Sequence, residues 1–201
     1  MKSFLFLFKD SLEEFKRISC LTLTGIFIAV YMLMESLAIE IPYSRINFAF
    51  LAIAVIGMLF GPVVGFLSGG ICDIVGYIVH PAGGFMPLYV LIGMLQGLIY
   101  GLVLYRKSPW VMRKSAKHGV KYGLLISAVV ARLLDVVVIN LFINTAANMH
   151  YGFIPDTVYT EAIAARAVKN FIELAADIPL MLVILPFALM LYRKSFARAN
   201  S

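Results

Sequence analysis

Arg106-Lys107-Ser108-Pro109-Trp110-Val111-Met112-Arg113-Lys114-Ser115-Ala116-Lys117-His118-Gly119-Val120-Lys121 decides how the rest of the chain is read. Six cations are packed between two long apolar runs. Basic loops between membrane-length apolar segments stay on the cytoplasmic side. Working outward, two more basic clusters flank the chain: Lys2, Lys9, Lys16 and Arg17 before the first apolar run, and Arg193, Lys194 and Arg198 after the last. All three fall on one side only if an even number of helices separates each pair.

Composition agrees. The 201 residues are 62% hydrophobic with mean hydropathy +0.93, whereas a soluble domain is about half apolar. The net charge of +6 therefore belongs to loops facing anionic lipid and is not a nucleic-acid signal. Cys20 and Cys72 both lie in apolar runs, which argues against a disulfide framework. Residues 1–17 read as an interfacial cytoplasmic arm and not as a cleaved leader, because the apolar part is short and no small-residue cleavage site follows.

A spanning helix needs about 20 mostly apolar residues. Candidates run over 18–39, 86–105, 121–143 and 164–192. The apolar stretch 48–80 is broken by Phe60-Gly61-Pro62 into two shorter helices, 46–60 and 62–79, and ends before Pro81-Ala82-Gly83-Gly84. The expected fold is an all-α integral membrane protein: a six-helix bundle over 18–192, both termini cytoplasmic, with a cytoplasmic tail over 193–201. Residues 40–46, 81–85 and 144–163 become its external segments.

Polar residues inside these helices are costly and mark candidate sites. Asp73 stands alone in Gly69-Gly70-Ile71-Cys72-Asp73-Ile74-Val75-Gly76, as a ligand group or a structural ion pair; a carboxylate there accepts two parallel bonds from an amidine-like heterocycle edge. Arg132 and Asp135 are three apart and within reach of each other, so they form an internal pair or share a ligand. Arg166, Lys169, Asn170, Glu173 and Asp177 fall on one helix face, lining a cavity or pairing internally. Arg45 in the first external segment and Asn144 at the end of the fifth helix join the candidate ligand-binding set, and Glu35 is a further costly charge with either reading. Four cations outside the basic clusters suit an anionic ligand. Gly25 and Ala29, four apart, allow close approach of another helix, within the bundle or from a partner. No metal-ligand spacing, nucleophile-plus-base set or phosphate loop appears, so the sequence offers no enzyme or cofactor site and no ATPase of its own.

Arg45-Ile46-Asn47-Phe48-Ala49-Phe50-Leu51 and Gly57-Met58-Leu59-Phe60-Gly61-Pro62-Val63-Val64-Gly65 resemble the S components of energy-coupling-factor (ECF) vitamin transporters. Asp73-Ile74-Val75-Gly76-Tyr77 and Gly97-Leu98-Ile99-Tyr100-Gly101 extend the likeness, while Asn144-Thr145 and Arg166-Ala167-Val168-Lys169-Asn170 resemble the folate-specific branch. The resemblance implies a six-helix membrane protein that captures folate from outside and docks through Gly25 and Ala29 on a transmembrane T component carrying two cytoplasmic ATPases. The alternatives are an S component for another anionic vitamin or vitamin precursor, a membrane accessory protein with internally paired charges, and an autonomous ion-coupled transporter.

Overall fold

A computed structural model describes residues 2–41, 44–79, 84–108, 111, 122–153 and 159–197. Most of the basic loop that fixes the orientation, as well as His80 and Arg198, lies outside the described residues. The chain runs α1 (Lys2–Phe15), α2 (Ile18–Ser36), β1 (Ile39–Ile41), β2 (Ser44–Ile46), α3 (Phe50–Phe60), α4 (Pro62–Val79), α5 (Pro87–Leu104), α6 (Tyr122–Leu134), a π-helical stretch (Asp135–Ile143), α7 (Asn144–His150) and α8 (Tyr159–Ala197). Five helical stretches are long and apolar enough to cross a membrane: 18–36, 62–79, 87–104, 122–150 and 166–195. The sixth expected helix, α3, is apolar but only 11 residues long.

That α3 is short follows from where it sits. Every one of its residues is buried, so its neighbours shield it from solvent and lipid alike. Its end is set by Gly61, whose φ of +88° is a left-handed conformation that only glycine adopts without strain. Pro62 then opens α4, where a missing N–H costs nothing.

The turn between α3 and α4 is sealed by two distant segments. The backbone N–H of Arg106 donates to Met58 O at 2.8 Å and its Nε to Leu59 O at 2.7 Å. Ser11 Oγ on α1 donates to Phe60 O at 2.7 Å and accepts from Val63 N at 3.1 Å. The carbonyls that a helix leaves unpaired at its C-terminus are thus satisfied, and one hydroxyl serves both helices. Asp10 and Glu14 on α1 pair with Lys107 at 2.9 and 2.8 Å, and Glu14 also pairs with Arg106 at 2.6 Å. Burial pushes the Asp10 carboxyl up, but hydrogen bonds from Tyr105 and Lys107 outweigh it and hold it below its usual range.

α4 and α5 approach almost backbone to backbone. A Cβ on Gly93 would stand 2.7 Å from Gly69 O, and one on Gly101 would collide with Pro62 Cα. Gly65 and Gly97 face each other as tightly. Small residues at four-residue spacing permit such contact, and each helix supplies several.

Several boundaries depart from expectation: α2 ends at Ser36 instead of 39, α3 begins at Phe50 instead of 46, and α8 runs Tyr159–Ala197 instead of 164–192. The fifth helix was expected to end at 143, with an external segment over 144–163. Instead it continues through the π-helical stretch and α7 to His150. The Ala-containing segment Asn144-Thr145-Ala146-Ala147 favours helix, and the stop comes at Gly152, φ +75°. There Phe153 N closes back on Asn148 O at 2.8 Å and Gly152 N on Met149 O at 2.8 Å. The first external segment takes part in a small antiparallel hairpin, with Glu40 opposite Arg45. α8 runs 39 residues with Pro179 and Pro186 inside, each removing one helical hydrogen bond.

Candidate functional site

A cavity of about 520 Å³ opens between α2, α4, α5, the π-helical stretch, α7 and α8. This falls within the range of sites for drug-sized ligands, about 300–1,000 Å³. Of the seven residues expected to bind a ligand, five line it: Asp73, Asn144, Arg166, Lys169 and Asn170.

Asp73 comes from the middle of α4, whose Gly69 and Gly70 keep that face close to α5. Its carboxylate makes no hydrogen bond or ion pair with the described residues and is neighboured by Glu35. Glu35, also in the lining, accepts from Asn47 Nδ2 at 3.0 Å, while Asn47 Oδ1 accepts from Ala49 N at 3.2 Å. A further wall is α8. There Arg166, Lys169 and Asn170 turn inward as helical spacing requires, and Lys169 Nζ pairs with Glu173 at 3.1 Å, one turn deeper. Asn170 is buried and makes no hydrogen bond with the described residues, which leaves its amide available to a ligand.

Aromatic residues supply the remaining walls: Tyr31, Tyr77, Phe85, Tyr89 and Phe153. Tyr77 meets Phe85 edge to face at 5.3 Å. Tyr89 OH donates to Asn148 Oδ1 at 2.7 Å, and Asn148 Nδ2 donates back to Asn144 O at 2.8 Å and Asn144 Oδ1 at 2.9 Å. The lining thus combines a carboxylate, aromatic rings and cations, a set that suits a flat heterocycle carrying an acidic group.

Arg132 sits apart from these residues. It is not among the cavity-lining residues. Its guanidinium is buried, donating to Asp177 Oδ2 at 3.0 Å through Nε and to Asp135 Oδ2 at 2.5 Å through Nη1, and it lies 3.7 Å from the centroid of the Phe50 ring. Tyr100 OH and Gln96 Nε2 also donate to Asp135, at 2.9 and 3.0 Å. Of the two readings left open by spacing, the internal pair holds, and Asp177 belongs to it. The side chain of Arg45 lies outside the described residues. Gly25 and Ala29 are exposed on α2, and nothing stands within 4 Å of a Cβ placed on Gly25.

Sequence reasoning missed Tyr31 and Asn140. Asn140, Asn144 and Asn148 recur every four residues, a polar stripe that was there to be read. It was hidden because the helix was taken to end at 143.

A family model described as "ECF transporter, substrate-specific component" matches residues 19–185. The chain belongs to this family. It is an integral membrane protein and a transport component, not an enzyme. The S component is 32% identical over 133 residues to "Folate transporter FolT" of Clostridium novyi, covering 66% of this chain and 62% of that one. It is 40% identical over 70 residues to "Folate transporter FolT" of Streptococcus mutans, covering 34% and 38%. The S component thus spans less than two thirds of the length of these relatives. Its fold matches the crystal structure of FolT bound with folic acid at a TM-score of 0.62, with 24% identity over 85% of this chain and 92% of that one.

Proposed function

We propose that this S component captures a folate from outside the cell and delivers it by docking on a T component with two ATPases. The carrying observation is the make-up of the cavity lining, which brings Asp73, the aromatic rings, Arg166 and Lys169 around one space. A pterin is flat and presents an amidine-like edge, which a carboxylate accepts through two parallel hydrogen bonds. The glutamate tail is anionic and suits cations, whose charge-assisted bonds to carboxylate are the stronger kind. Asn144 and Asn170 add neutral hydrogen bonds, and Arg45 is assigned to the same ligand as a further cation for its anionic tail. The relatives named as folate transporters support the same substrate.

The proposed topology counts α3 with the five longer helices as six crossings, both termini cytoplasmic, the arm over 1–17 lying at the interface and the tail over 193–201 in the cytoplasm. The exposed Gly25 and Ala29 stripe of α2 is then the docking surface, open to lipid until a partner helix covers it.

The deciding experiment is calorimetric titration of the purified full chain with folate, with a spectrum of small molecules released on denaturation. Folates absorb in the near ultraviolet. Tight binding of folate and its release as native cargo are expected. Failure to bind folate, with another anionic vitamin released instead, overturns the substrate.

A further inference from the structure

The circumference of α1 divides into three arcs when its residues are placed 100° apart. One arc is turned onto the bundle: Leu7, Ser11 and Glu14 are buried, and Asp10 reaches Lys107. A second arc is apolar and uncovered, with Leu5 at 66%, Leu12 at 51% and Phe15 at 40% exposure. On the outer side stand Lys9, Glu13 and Phe6, all exposed, and the exposed Lys16 follows in the turn just past the end of α1. Neither lysine makes an ion pair with a described residue. The neighbouring cations behave differently: Arg106 and Lys107 are held by Glu14 and Asp10.

The depth of α1 is fixed by Ser11, which bonds to both sides of the α3–α4 turn. A turn joining two apolar helices lies at the edge of the hydrocarbon, so α1 lies there too. An aqueous face would not carry three uncovered large apolar side chains beside each other. A face sunk in hydrocarbon would not carry two unpaired ammonium groups. Apolar side chains below and lysines level with the headgroups satisfy both conditions.

We propose that the outer face of α1 is a binding surface for anionic phospholipid, with Leu5, Leu12 and Phe15 inserted among the acyl chains and Lys9 and Lys16 bonded to headgroup phosphates. The attachment does not depend on which vitamin the cavity holds. Because Asp10, Ser11 and Glu14 tie the other side of the same helix to the α3–α4 turn and to Arg106 and Lys107, lipid bound at α1 is mechanically connected to the base of the bundle.

The test uses the full chain in vesicles of phosphatidylcholine mixed with phosphatidylglycerol. A fluorophore is attached at Ile18→Cys, the exposed first residue of α2 two positions beyond Lys16; Cys20 and Cys72, 0% and 1% exposed, stay unlabelled. Quenching is compared between trace acyl-chain spin-labelled phosphatidylglycerol and the same label on phosphatidylcholine. The anionic lipid should be enriched near the fluorophore several-fold, up to about fivefold for each lysine at low salt, and less in high salt. The Lys9→Gln, Lys16→Gln double variant should quench equally with both lipids while still melting at the parent temperature. Equal quenching by the two lipids in the parent overturns the proposal, as does a preference that survives in the double variant. Weak quenching by both lipids until a T component is added also overturns it and makes this face a protein contact.

Discussion

Arg132→Met tests whether this arginine is structural or touches the ligand. Its guanidinium is the counter-ion of both Asp135 and Asp177, and all three are buried. Methionine fills the space and keeps contact with the Phe50 ring but leaves two carboxylates without their cation. Removing one partner of a buried pair costs about 3–5 kcal/mol. At roughly 2–4 °C per kcal/mol for a chain of this size, the melting temperature should fall by roughly 6–20 °C. The assay is built into the protein, because Cys20 and Cys72 are free and buried and react with a thiol-sensitive dye only on unfolding. Adding Asp135→Asn and Asp177→Asn to Arg132→Met should restore much of the loss, since no orphaned charge then remains. Folate affinity measured on the folded fraction should stay within about tenfold of the parent, because no ligand bond is removed. A variant that melts like the parent and yet no longer binds folate would refute this reasoning and return Arg132 to the binding site.

Arg166→Ala and Lys169→Ala should each weaken folate binding by about 1.5–3 kcal/mol in calorimetry, the range for charge-assisted hydrogen bonds; unchanged affinity in both removes the α8 wall from the site. Asp73→Asn should sharply weaken folate binding without lowering the melting temperature, because Asp73 makes no ion pair with the described residues; a large drop in melting temperature would make it structural. Ala29→Trp should bind vitamin when purified alone but fail to co-purify with the T component, and loss of both would place this stripe in the core. The Asp10–Lys107 tie should keep amide protection of α1 constant through neutral pH. Asp10 is depressed, so its contribution is complete above the usual carboxylate range and lost as pH falls through its lowered value; Lys107 is raised, so its contribution is complete below the usual lysine range and lost as pH rises through its raised value. Protection that decays around pH 7 would contradict that assignment.

Most of the helices were legible because long apolar runs punctuated by Gly and Pro are strong signals. The cavity wall on α8 was legible too, since Arg166, Lys169 and Asn170 share a face by spacing alone. Arg132 was not resolved, because its second partner, Asp177, is 45 residues away and sequence shows only the neighbour three positions on. The Ser11 seal at Phe60 and Val63 was invisible for the same reason. The α4–α5 glycine seam is half visible: Gly69 and Gly97 stand in recognisable motifs, but nothing in a single sequence says that they meet partners on the other helix.

The shortness of α3 has a consequence for biogenesis. At about 1.5 Å per residue, its 11 residues extend some 16 Å, against a hydrocarbon slab of about 30 Å. Such a segment cannot be handed to lipid by itself as it leaves the insertion machinery. It has to wait until α2, α4 and α5 surround it. Its last carbonyls wait longer still, because Arg106 is made 46 residues after Phe60 whereas Ser11 is made 49 residues before it. The α3–α4 turn of the nascent S component therefore closes only once Arg106 has been made, with one of its two seals supplied from before the turn and the other from after it.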